Sequence, residues 1–137
     1  MNYWLLKSEP GKYSWDDLTR DGKTYWDGVR NAQARNNLQQ MKRGDLCLYY
    51  HSNEGKEVVG VAQVVKSAYP DPTTEDPRWV VVDVAPRKPL VRSVPLSELR
   101  TCSATSNMAM VRQGRLSVSP VRAAEFRAVL KLGETTF

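Results

Sequence analysis

With 137 residues, 41% of them hydrophobic and 26% charged, the chain has the size and composition of a globular domain, and one domain over residues 1–137 is expected. No stretch approaches the roughly 20 consecutive apolar residues of a membrane-spanning helix, so no membrane partner is expected. Twenty lysines and arginines against 15 acids give a net charge of +5, which makes a polyanion the first partner to consider.

The apolar run at 3–7 lacks the basic flank and small-residue cleavage site of a secretory leader and reads as the first strand. Ser14 followed three residues later by Asp17 is a capping-box pattern, with Tyr13 and Leu18 placed as a hydrophobic staple, and predicts a short helix over 15–20. Ala34, Leu38 and Met41 recur at helical spacing in the polar segment 32–42, predicting a one-sided helix that Gly44 ends. Strands follow at 46–51 and 57–65, joined by a hairpin at 52–56. In the second of them Val59, Val61 and Val64 are apolar on more than one face, as in a strand packed centrally or curled within a barrel. The proline-rich stretch 69–77 reads as a loop and 79–84 as a strand. Residues 95–99 form a short helical turn, and Ser119-Pro120 reads as the cap and first turn of a last helix that buries Phe126, Val129 and Leu130 and stops at Gly133. The expected fold is mixed α/β, mainly β: a barrel with short helices in the connections and one C-terminal helix, rather than a βαβ parallel sheet.

Catalytic and metal chemistry find little support. Cys47 and Cys102 are the only cysteines, far apart and outside any CxxC pattern, so neither a disulfide framework nor a zinc site is expected. Their thiols are expected to be reduced in a cytoplasmic setting, nucleoid-associated if DNA is the ligand. His51 is the sole histidine, which removes any two-histidine metal site. Cys47 and His51 share one face of a strand, yet strand spacing fixes no hydrogen bond between them, and Cys47 lies in an apolar run that reads as core. Asp17 is explained as a cap and Asp27 as a turn residue, and no Walker, GxGxxG or GxSxG pattern occurs. Neither an enzyme, a metal nor a cofactor is expected, and the chain is read as a monomer.

The positive excess is local. Residues 84–122 carry Arg87, Lys88, Arg92, Arg100, Arg112, Arg115 and Arg122 against Glu98 alone. Arginine's planar fork suits phosphates and stacks on bases, so Arg87, Lys88, Arg92, Arg112 and Arg115 are phosphate-contact candidates; the alternative is an arginine-rich solvated surface. The segment 25–37 is richer still, joining Tyr25, Trp26, Arg30, Arg35 and the amides Asn31, Gln33, Asn36 and Asn37 within thirteen residues. Trp26 can offer a stacking face, worth about 1–3 kcal/mol per base, and an amide such as Asn31 can read a base edge. Equally, Trp26 can be a core aromatic and Asp27-Gly28 a turn. Four tryptophans in a chain of this length make at least two of them structural, Trp4 and Trp15 first.

Seven motifs in order, Tyr3-Trp4-Leu5-Leu6-Lys7-Ser8-Glu9-Pro10, Tyr13-Ser14-Trp15, Trp26-Asp27-Gly28-Val29-Arg30-Asn31, Gln33-Ala34-Arg35-Asn36, Gly44-Asp45, Tyr50-His51-Ser52 and Arg115-Leu116-Ser117-Val118, give a sequence that resembles the EVE domain family along essentially its whole length. The resemblance implies a PUA-like pseudobarrel related to the YTH readers of methylated adenine. It further implies a pocket for a flipped-out, modified base, of the 5-methylcytosine or 5-hydroxymethylcytosine type in DNA or a modified base in RNA. By the same resemblance Lys7 and Ser8 look like the Lys-Ser turn of YTH domains and Trp26 like a wall of their aromatic cage. Val29, Arg30 and Asn31 would then surround the pocket, Arg35 and Asn36 its lip, and Tyr49 or His51 the facing strand. A second wall is open between Trp79, Trp4 and a tyrosine. The alternatives are a PUA-like RNA-binding module without modified-base selectivity and a protein-interaction domain.

Overall fold

The structure, a computed structural model describing residues 1–137, is built on one six-stranded sheet. Its strands are β1 (Tyr3–Ser8), β2 (Thr24–Tyr25), β3 (Leu46–His51), β4 (Glu57–Pro70), β5 (Val80–Pro95) and β6 (Val118–Val121), in the spatial order β2-β5-β4-β3-β1-β6. Only β1 and β3 run parallel; every other pair is antiparallel. The helices are α1 (Trp15–Asp21), α2 (Ala32–Gln40), α3 (Leu96–Thr101), α4 (Ala109–Arg112) and α5 (Ala123–Leu132). None is long and apolar enough to cross a membrane.

Strand alternation divides the core in two. Trp4 and Leu6 of β1 and Cys47 and Tyr49 of β3 enter one apolar cluster, while Leu5, Leu46, Leu48 and Tyr50 enter the other, because successive side chains of a strand point to opposite faces. The first cluster is covered by α1 and α2 through Trp15, Leu18, Ala34 and Leu38, and the second by α3, α4 and α5 through Leu99, Met110, Phe126 and Val129. Burying each Leu, Val or Phe side chain contributes about 1.5–3 kcal/mol. This two-sided burial accounts for the apolar character of β3 and β4 on both faces. Helix α2 touches β6 at one end of the sheet and β5 beside the other, so the sheet curls around it in the manner of a pseudobarrel. Register shifts at one point of the β3–β4 pair and four of the β4–β5 pair bend the long strands toward that shape.

Local chemistry sets several element ends. The Ser14 hydroxyl accepts from Asp17 N at 3.0 Å and the Asp17 carboxylate accepts from Ser14 N at 2.9 Å, completing the capping box of α1. Gly22, at φ +76, closes that helix. The indole of Trp15 lies so close over β4 that a Cβ on Gly60 would stand 2.6 Å from its Cζ2, which is why a glycine interrupts this strand.

Three expectations are corrected. Ser119-Pro120 does not cap the last helix: both residues lie in β6, antiparallel to β1, and α5 begins at Ala123 with Arg122 as its cap residue. Proline is tolerated there because β6 is an edge strand. Gly44 does not end α2, which stops at Gln40; it sits in the following turn at φ +100. The fourth predicted strand continues to residue 95 through Pro86 and Pro89. Beyond Asp83 and Val84 no strand pairs with the outer edge of β5, β2 being two residues long; the C-terminal segment meets that edge only past the prolines, where Val91 N donates to the Thr135 hydroxyl and Arg92 N to the Gly133 carbonyl.

Candidate functional site

A cavity of about 730 Å³ opens on the first core cluster, where the end of β1, the turn after it, the segment 24–29 and the loop 114–117 meet. Its size lies within the about 300–1,000 Å³ of ligand pockets. One wall begins at β2, whose pairing with β5 is extended by a hydrogen bond from Trp26 N to the Val82 carbonyl at 2.8 Å. Gly28, at φ +76, then turns the chain so that Val29 comes back under cover while Asp27 stays exposed. The Trp26 indole is 8% exposed: most of it packs into the core, edge-on to Tyr49 at 5.5 Å and 83°, and its outer side faces the cavity.

The opposite wall is pinned from below. The Tyr13 carbonyl accepts from the Ser8 hydroxyl at 2.6 Å and from the Tyr49 hydroxyl at 2.9 Å, and the Tyr13 hydroxyl donates to Asp21 at 2.9 Å. The turn over 9–13 is thereby held against α1 and β3. Lys7 ties in the third side: its backbone N–H donates to the Ser117 carbonyl at 2.9 Å and its ammonium donates to the Gly114 carbonyl. Burial lowers the Lys7 pKa from the ordinary lysine value, and the ammonium keeps hydrogens free to donate into the cavity. Arg115 stands exposed at the same wall with no side-chain hydrogen bond or ion pair.

Of the residues named from sequence, Lys7, Ser8, Trp26, Val29 and Arg115 line the cavity together. Tyr49 does not reach it; the ring is fully buried between Trp15 and Trp26, and its hydroxyl is spent on Tyr13. His51 is likewise committed, its Nε2 accepting from Trp15 N at 3.0 Å. Burial lowers the His51 pKa, against an upward pull from Glu57 and Asp16. Asn31 is the cap of α2, its side-chain oxygen accepting from Ala34 N at 3.0 Å, and it is not among the residues that line the cavity. Arg30, Arg35 and Asn36 lie beyond the cavity wall. Cys47 is fully buried, which drives its thiol pKa upward, and His51 is engaged elsewhere, so the two form no nucleophile pair.

The arginine-rich stretch does not form one surface. Arg87 packs over the Phe137 ring at 5.2 Å, Lys88 donates to the Thr136 carbonyl, and Arg92 donates to Glu98 at 2.8 Å and to the Leu132 carbonyl at 3.2 Å. Arg87 also donates to the Gln63 side chain at 3.0 Å, and none of the three lines the cavity. Arg112 is held by Asn107 at 2.7 Å, three residues from Arg115. Tyr13, Tyr25 and Lys12 also line the cavity; Tyr13 is read from sequence only as a staple of α1, Tyr25 only as part of the aromatic-rich segment, and Lys12 not at all. Tyr25, 44% exposed, had a signal in its place beside Trp26, since a large aromatic left in solvent next to a buried one is itself informative. Trp4 and Trp79 do not supply a second wall: Trp4 is buried with its Nε1 donating to Asp45 at 3.0 Å.

Trp79 instead gathers three guanidiniums. Arg30, Arg35 and Arg78 have Cζ at 5.5, 5.6 and 5.6 Å from its ring, within cation–π range. Arg30 pairs with the buried Asp71 at 3.2 Å, and Arg78 with Asp76 at 2.7 Å. Hydrogen bonds from Arg78 hold the Asp76 carboxyl down at about 2. Burial pushes Asp71 upward, but hydrogen bonds from Thr73 and Arg30 outweigh it and leave the carboxyl below its ordinary value.

A model of the EVE domain family matches residues 2–132. This chain belongs to the EVE domain family. Over 98% of its length the EVE domain is 39% identical to thymocyte nuclear protein 1 of Mus musculus, covering 74% of that protein. Protein Atu2648 from Agrobacterium tumefaciens is similar in structure with a TM-score of 0.96 at 40% identity, over 98% of this chain and 94% of that one. The human THYN1 protein, solved in complex with 5-methylcytosine containing DNA, has a TM-score of 0.90 at 35% identity over 100% of both chains.

Proposed function

We propose that this EVE domain binds nucleic acid by accepting one unpaired base, of the 5-methylcytosine or 5-hydroxymethylcytosine type, into the cavity beside Trp26. The observation that carries this is the joint lining of one cavity by the Trp26 indole, the apolar Val29 and the cations Lys7 and Arg115. These are an aromatic face and an apolar contact for a methylated base, with donors for the phosphates around it. The similarity to human THYN1 protein, whose complex holds 5-methylcytosine containing DNA, supports the choice of base.

Taking a base from a duplex costs a few kcal/mol, which stacking and hydrogen bonds in the cavity must offset. Asp27, exposed and in the wall beside Trp26, is an acceptor of the kind that takes the amino group of cytosine. Lys7 and Arg115 supply the phosphate attraction, which carries affinity but no sequence information. One observation favours a second reading, nucleic-acid binding without modified-base selectivity: the small exposed fraction of Trp26 limits the area available to a methyl group or ring.

The experiment is binding of matched oligonucleotides carrying cytosine, 5-methylcytosine, 5-hydroxymethylcytosine, adenine or N6-methyladenine, in wild type and W26F, at two salt concentrations. Tighter binding of a modified cytosine that W26F weakens selectively is the expected result. Equal, salt-sensitive binding to all five supports the second reading, and no binding at moderate salt refutes both.

A further inference from the structure

The Trp79 cluster is unexplained by the cavity. Three guanidiniums surround one half-buried indole, yet only two carboxylates face them; Arg35 has nothing but the side-chain oxygen of Asn36, which accepts from its Nε at 3.4 Å and Nη2 at 3.2 Å. Its Nη1 is left without a partner. Bringing like charges together around one ring is unfavourable unless an anion completes the group. Asp71 and Asp76 hold Arg30 and Arg78 in place, so the cluster is organised before any ligand arrives. It also adjoins the cavity in the chain: Arg30 follows Val29 directly, and α2 carries Arg35 one turn further on.

We infer that Trp79, Arg30 and Arg35 form a phosphate platform for a nucleic-acid strand, receiving the sugar–phosphate backbone of a nucleotide flanking the one in the cavity. It rests on the proposed nucleic-acid function and adds to it a second contact that fixes the path of the strand. Arg35 is the group that meets the phosphodiester, through Nη1 and the free hydrogen of Nη2. The Trp79 ring seats that guanidinium, and Arg30 adds charge while anchored to Asp71. The cluster carries no information about the base in the cavity.

The test is the salt dependence of oligonucleotide binding by wild type, R35Q, R35K and W79L, each with cytosine and 5-methylcytosine oligonucleotides. Losing one phosphate contact lowers the slope of log affinity against log salt by about 0.7–0.9, which is about a five- to eight-fold loss of affinity at about 0.1 M salt. R35Q should show both, R35K should restore the slope, and W79L should weaken binding with the slope retained. The ratio of affinities for the two oligonucleotides should be the same in all four proteins. If wild type binds and R35Q leaves slope and affinity unchanged, or changes the ratio, the platform is refuted while the cavity's function stands. If wild type binds neither oligonucleotide, both are refuted together.

Discussion

The Tyr49 hydroxyl donates to the Tyr13 carbonyl across 2.9 Å, and Trp26 rests edge-on against the same tyrosine ring. One buried side chain therefore sets the spacing of two cavity walls. Tyr49→Phe keeps the ring and removes only this hydrogen bond, for a cost of about 0.5–1.5 kcal/mol. The turn over 9–13 should loosen, measured as a lower urea midpoint together with faster amide exchange at Lys12 and Tyr13.

Trp26 carries a double burden. Its truncation to alanine should cost about 3–5 kcal/mol of stability, so loss of binding in that variant would not identify a ligand contact. W26F should retain most of the packing against Tyr49 and lose less than half as much stability by chemical denaturation.

Gly60 lies under the Trp15 ring with no room for a methyl group. Gly60→Ala should destabilise the protein by about 1–3 kcal/mol through overpacking. The double variant G60A/W15F should recover part of that loss, the smaller ring leaving space for the added carbon. A simple sum of the two single effects in a double-mutant cycle would contradict this account.

His51 makes stability pH-dependent. Its neutral Nε2 accepts from Trp15 N at the start of α1, and burial lowers its folded pKa below the ordinary 6.5. The unfolded chain thus binds the proton more readily than the folded one, and stability rises with pH across this window. The contribution is complete above about 6.5 and is lost as pH falls through the lowered folded value. Urea midpoints at about pH 7.5 and pH 5 should differ more in wild type than in H51A. No other histidine competes for the effect.

The basic residues should separate by location. R115Q should lower the salt dependence of nucleic-acid binding without changing the preference among bases, as expected of a phosphate contact. R87Q and K88Q should leave it unchanged, since both side chains are engaged by the C-terminal segment. Filter binding or fluorescence titration over a salt series separates the two sets.

Much of the fold was legible because the signals are local. The capping box at Ser14, the hairpin at 52–56 and the two-faced apolar pattern of β4 each need only neighbours in sequence to be read. Helix α5 was misplaced by three residues because Ser119-Pro120 fits a helix start and a proline-bearing edge strand equally well, and only pairing with β1 decides between them. Strand β5 was cut short because prolines normally end a strand, and nothing local reveals that no neighbouring strand runs along its outer edge at Pro86 and Pro89. At the site, Trp26 and Val29 sit in one contiguous motif and could be found together. That Arg115 joins them while Arg87 does not depends on how two distant segments curl around α2, which spacing along the chain does not encode. The cap role of Asn31 was hidden for a different reason: an amide before a helix satisfies the chemistry of a base reader and of an N-cap alike.

Lys7 holds Ser117 and Gly114, residues more than a hundred positions away. During synthesis the chain has Trp26 and the β3–β4 hairpin long before it has a pocket, and the binding surface comes into being only with the arrival of the last quarter of the sequence. A ligand that fills the cavity therefore acts as a clasp between early and late segments. Its occupancy should raise the resistance of the whole molecule to unfolding, by an amount set by concentration over dissociation constant, rather than stiffening one loop.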